Sequence, residues 1–109
     1  MAIIYKVLGH NNPAATTATT LYTVPAGTSA VVSSLNVCNQ AATAGTFRIA
    51  IRPAGATLTT SHYLSYDTIL PANDTVSLNI GMSLATTDVI TVYASSATVS
   101  FILFGTELT

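Results

Sequence analysis

Along Thr46–Arg52 the side chains alternate, with Phe47, Ile49 and Ile51 on one side of an extended chain and Arg48 and Arg52 on the other. A repeat of two belongs to a β-strand, whose successive side chains point to opposite faces; a helix needs apolar residues three and four positions apart. Val76–Ile80 alternates in the same way, and within Ser29–Asn39 the set Val31, Ser33, Leu35 and Val37 falls on one face. Enrichment in β-branched and aromatic residues marks further strands at Ile3–Gly9, Thr19–Val24, Ser61–Ile69, Asp88–Ser95 and Val99–Phe104. No stretch longer than a turn has helical periodicity, and a chain this rich in Thr, Val and Ile is poorly suited to one. The chain is predicted to be almost free of helix.

Punctuation agrees with this reading. Each of the four prolines is followed by alanine, at Pro13, Pro25, Pro53 and Pro71; two of the pairs continue to Gly27 and Gly55, and one to Asn73-Asp74. With proline at the second position of a tight turn and glycine near its exit, these are chain reversals. About eight short strands separated by turns predict an all-β fold, an antiparallel β-sandwich or jelly roll, with an open barrel as the alternative. Val89–Tyr93 and Phe101–Phe104 are apolar on both faces, which favours strands covered on both sides. A chain of 109 residues is expected to form a single domain, residues 1–109.

Half of the residues are hydrophobic, yet only three are basic and four acidic, so 6% carry charge where about 25% is usual. Three cations and a net charge of −1 do not make a phosphate-binding surface, and nucleic acid is not an expected partner. Membrane insertion is not expected either. The most apolar run, Phe101–Phe104, is far short of the roughly 18 residues that a spanning helix needs. The opening Met1–Lys6 lacks the order of a secretory signal, so synthesis in a cytoplasm is expected. Cys38, the single cysteine, is placed in an apolar strand as a buried thiol.

The polar residues form no recognisable catalytic motif. His10 and His62 with the three aspartates allow Ser-His-Asp combinations by chance, but none lies in a nucleophile elbow. His62 and Asp67, five apart on one predicted strand, fall on opposite faces and have no Cys or His cluster beside them, so no metal is expected. Phosphate-cradling glycine loops are absent as well. Asp74 and Asp88 read as turn residues whose carboxylates accept local backbone N–H groups. Neither a cofactor nor an enzymatic activity is expected.

What remains is association. Near-zero net charge and strand edges without charged or proline gatekeepers favour assembly. The candidate interface residues are Tyr5 and Lys6 near the start, Arg48 and Arg52 on one face of a strand, and Tyr63 and Tyr66. Tyrosine has an apolar body and a polar tip suited to a core rim or a subunit contact. The two arginines are either solvated or paired with carboxylates of a neighbouring chain. Met1–Asn12 is read as an edge strand or as an arm laid on a neighbour.

Val24-Pro25-Ala26-Gly27-Thr28, Ser33-Ser34-Leu35-Asn36-Val37-Cys38-Asn39, Phe47-Arg48-Ile49, Pro71-Ala72-Asn73-Asp74 and Asp88-Val89-Ile90-Thr91-Val92-Tyr93-Ala94 together resemble small virion proteins of tailed bacteriophages. The resemblance runs from about Leu21 to Glu107 and is greatest to the short all-β decoration, or cement, proteins of phage heads. It implies a noncatalytic homotrimer that joins the major capsid protein on the outside of the head and stabilises the assembled shell. No individual site residue is carried over by it. A tail- or fibre-associated module is the alternative reading, and a carbohydrate-binding β-sandwich is another.

Overall fold

The computed structural model describes residues 2–79 and 81–109. Its strands are β1 (Ile3–Asn11), β2 (Thr19–Thr23), β3 (Ser29–Asn39), β4 (Gly45–Arg52), β5 (Tyr63–Leu70), β6 (Thr75–Leu78), β7 (Met82–Leu84), β8 (Val89–Ala94) and β9 (Val99–Leu108). Helical backbone among the described residues is confined to short turns at Pro53–Gly55 and Thr60–His62. One antiparallel sheet has the order β1-β9-β3-β6, with β7 also on β3, and the other has the order β2-β8-β4-β5. Apart from the β4–β5 pair and the β6–β7 pair, each strand crosses to the opposite sheet, which is the jelly-roll path.

β6 pairs with Leu35–Cys38 and β7 with Ala30–Val32, so the two are halves of one interrupted edge strand. The eight expected strands are therefore recovered, one of them broken. Met82–Leu84 has three residues, too few for alternation to reveal. Ile80, the end of the expected Val76–Ile80 strand, lies outside the described residues, as does Met1 of the Met1–Asn12 segment. The rest of that segment through Asn11 is an edge strand on β9 and not a free arm.

The core is the set of inward residues that the period-two pattern selects. Phe47 and Ile49 of β4, Ile90 and Val92 of β8, Leu35 and Val37 of β3, and Phe101 and Leu103 of β9 are fully buried. Phe47 and Phe101 meet edge to face between the sheets, centroids 6.4 Å apart. Aromatic pairs favour this arrangement, which sets the positive ring edge against the negative face.

Three expectations are corrected. Val31 does not share a face with Leu35 and Val37, because a bulge between Val32 and Ser34 inserts one residue and reverses the alternation. Ala30 and Val32 point inward and Val31 outward, beside Thr106. Cys38 is free and only half-buried, since its partner Ser100 is on the outward side of β9. Strand β8 is covered on both faces as expected, but β9 is not: Ile102 and Phe104 point away from the core, and Ile102 is 39% exposed.

At Pro25 and Pro53 the chain does reverse, with proline one position earlier than expected. Thr28 N–H donates to Pro25 O (3.1 Å) and Ala56 N–H to Pro53 O (3.0 Å), making proline the first turn residue. The third residue then takes the left-handed conformation, with φ of 73° at Gly27, 71° at Gly55 and 50° at Asn73. Glycine and asparagine tolerate that region.

Candidate functional site

On the outer face of the β2-β8-β4-β5 sheet, pairing sets Arg48 directly beside Tyr93. Opposite Arg48, the β5 register slips between Phe47–Thr68 and Ile49–Ser65, so Tyr66 and Asp67 together face one residue. Asp67 adopts φ 48° in this bulge, which turns its carboxylate onto the guanidinium. Arg48 Nε donates to Oδ1 at 2.6 Å and Nη2 to Oδ2 at 3.2 Å. The guanidinium carbon lies over Tyr66 at 4.1 Å and over Tyr93 at 4.2 Å from the ring centroids. Tyr63 packs edge-on to Tyr66, centroids 4.8 Å apart. The two-pronged bond to Asp67 raises the Arg48 pKa, and the same bond holds the Asp67 carboxyl below its usual range.

The result is a cation clamped between aromatic rings at the surface, fixed in place but still accessible. Tyr66 is 57% exposed and Ile69, on the same edge strand, 70%. Of the expected interface residues, Arg48, Tyr63 and Tyr66 are brought together here. Arg48 finds its carboxylate within its own chain, so of the two expected states, solvated or paired to a neighbour, neither describes it. Tyr63 and Tyr66 do not enter the core.

Arg52 lies farther along the same face, under the β4–β5 connection. Its Nη1 donates to Ala56 O at 3.3 Å, while Nε is buried without a partner, as is Thr91 Oγ1. Residues 53–62 lie against β4 and β8 and bury Ala50, Val89 and Thr91 on what would otherwise be an open face. Asp88 anchors this cover: its carboxylate accepts N–H bonds from Ala54 and Ala85, both at 2.9 Å. Asp74 accepts from Thr75 N–H at 2.8 Å, so both aspartates act as turn residues.

Among the described residues nothing covers the other sheet in this way. Its outward residues run in rows across the strands: Ile3 and Leu108; Tyr5, Thr106, Val31 and Ser83; Val7, Phe104 and Ser34; His10, Ile102, Asn36 and Ser77; then Ser100, Cys38 and Thr75. Among the described residues this face holds no Asp, Glu, Lys or Arg side chain. Tyr5 is 81% exposed on it, and Ile3, Val7, Val31 and Ile102 are also open to solvent.

Lys6, next to Tyr5 in sequence, turns to the opposite side. It reaches Glu107 at 2.9 Å, and Tyr22 O–H donates to the same carboxylate at 2.5 Å, tying β1, β9 and β2 together at one end of the sandwich. Glu107 is 7% exposed. The Tyr22 bond first, then Lys6, lowers the Glu107 pKa; burial first, then Glu107, raises that of Tyr22. At the other end Asn39, also buried, donates to Thr43 O at 2.9 Å and Pro71 O at 3.2 Å and accepts from Ala41 N–H at 3.0 Å.

Sequence reasoning missed Tyr93 and Asp67 as partners of Arg48, the Lys6–Glu107–Tyr22 cluster and the Asn39 staple. Alternation from Arg48 hinted at an outward guanidinium, but the bulge that aims Asp67 leaves no mark in the pattern. Among the described residues no three His, Cys, Asp or Glu side chains converge to hold a metal. No family model, curated protein or solved structure matches the chain in comparison.

Proposed function

We propose that this chain is a noncatalytic structural protein of a tailed-phage virion, made in the host cytoplasm and seated on the head surface across junctions between major capsid protein subunits. The phage setting comes from the sequence resemblance; the observation that supports a binding role is the Arg48 clamp with Tyr63, Tyr66, Asp67 and Tyr93. Tyrosine and arginine dominate the energetic centres of protein interfaces. Here they are ordered before any partner arrives, so little side-chain freedom remains to be lost on binding. A decoration protein needs no stronger device. Three copies in a homotrimer, the number that the phage resemblance implies, present three modest sites, and once one engages, the others bind at high effective concentration. A protein that binds only the assembled shell stabilises that shell by mass action.

The Tyr63–Tyr66 pair also bears on the carbohydrate reading. Arg48 already occupies one face of the Tyr66 ring and one of the Tyr93 ring, which leaves a sugar fewer faces to stack on. Protein contact is the better use of this patch. The test adds purified protein to heads that lack it and measures occupancy and resistance of the heads to heat. Native protein is expected to bind and protect, and Tyr66→Ala or Arg48→Ala to lower occupancy while circular dichroism stays unchanged. Binding to tails and not to heads would replace the head reading with the tail-associated one.

A further inference from the structure

We propose that the outer face of the β1-β9-β3-β6 sheet is the seat of a second copy of this chain. The two sheets differ in a way that calls for this. Residues 53–62 cover one end of one outer face, over Ala50, Val89 and Thr91, whereas nothing in the described chain covers the other. Yet the uncovered face has the more apolar surface: Ile3, Tyr5 and Val7 from the edge strand, Val31 from β3, and Ile102 and Phe104 from β9. The bulge at Val32–Ser34 places Val31 there, so the open patch is built by the local backbone and is not an accident of alternation.

A second copy fits the face in charge and in size. With no Asp, Glu, Lys or Arg side chain among its described residues, the face meets its own likeness without like-charge repulsion and offers an oppositely charged partner nothing to select. Four strands about 4.8 Å apart and roughly 30 Å long give a footprint near 600 Å². Two such footprints bury about 1,200 Å², the lower bound of a stable specific interface. Serine, threonine and asparagine along β3 and β6 supply the hydrogen-bonding rim such a contact requires. A face that meets its own likeness closes as a twofold pair, and the inference stands whether or not the protein decorates a head.

The experiment is size-exclusion chromatography with light scattering on the full chain, across a hundredfold range of concentration. Native protein is expected to exceed the 11.2 kDa of one chain. Ile102→Lys, at the middle of the face, is expected to weaken association at least tenfold with circular dichroism unchanged. Val7→Lys, on the edge strand, repeats the test at a site even less engaged in the core. Ile69→Lys, more exposed than either and on the opposite sheet, is expected to keep the native mass. A native protein that stays at 11.2 kDa throughout overturns the proposal. So do Lys variants at both Ile102 and Val7 that keep the native mass, or an Ile69 variant that dissociates as fully as they do.

Discussion

Glu107→Gln separates charge from shape at the best-defined buried polar cluster. Glutamine keeps the volume, and its carbonyl can still accept the Tyr22 hydroxyl, which donates to Glu107 at 2.5 Å. What is lost is the ion pair with Lys6 at 2.9 Å and the charge assistance of the Tyr22 bond. Each contributes about 1 kcal/mol, the first held to that value because Lys6 is half-exposed and hydrates readily when released. The expected loss near neutral pH is about 2 kcal/mol, a fall of roughly 1 M in the urea midpoint for a domain of this size. The pH dependence follows from the direction of the shift. The folded carboxyl titrates below its ordinary 4.5, so the native cluster contributes fully above that value and loses its contribution as pH falls through the folded pKa. Once the carboxyl is protonated in both states, native protein and variant differ little. Urea titrations from about pH 7 to pH 2 are therefore expected to show a gap that is constant above about 4.5 and closes below it. Asp67, also lowered, titrates alike in both proteins and cancels. A gap of the same size at both ends of the range would refute the reasoning, since the loss would then come from packing alone.

Asn39→Ala removes the hydrogen bonds to Thr43, Pro71 and Ala41 from a buried site and is expected to cost about 3 kcal/mol, or roughly 15 °C in Tm by calorimetry. Gly105→Ala sets a methyl group against the Val31 carbonyl oxygen and the Leu8 side chain; overpacking against backbone is expected to cost about 3 kcal/mol in urea unfolding. Cys38, half-buried on the open sheet face, is expected to react with a thiol reagent in the folded protein without prior denaturation. It should react faster in Ile102→Lys than in the native chain at the same concentration, and equal rates would mean that no copy covers it.

How far the sequence reaches can be followed strand by strand. Alternation located β3 and β4, and β-branched enrichment located β8, almost to the residue, because each has one face or both buried against a core that tolerates only apolar side chains. The ends were less legible. β9 runs to Leu108, four residues beyond the Phe101–Phe104 cluster, and its continuation through Gly105 and Thr106 has no apolar alternation to announce it. Strand pairing sustains it there: Ile3–Lys6 of β1 on one side and Ser29–Val32 of β3 on the other complete the hydrogen-bond ladder.

Bulges account for most of what alternation misplaced. A single inserted residue reverses which side chains face the core, yet it changes neither composition nor hydrophobicity. At Val32–Ser34 it moved Val31 from the expected inner face to the outer one, and in β5 it brought Asp67 to Arg48. Both candidate surfaces depend on these two irregularities. The sequence supplied the residue types for recognition, tyrosine and arginine in a chain with few charges, and pointed to association through low charge. Their placement is a property of pairing between strands distant in sequence: Tyr93 reaches Arg48 from β8, and Asp67 reaches it from β5. Reading one segment at a time finds the strands, because burial selects each locally. It does not find the Arg48 clamp, because the register between strands, and not any one strand, brings those side chains together.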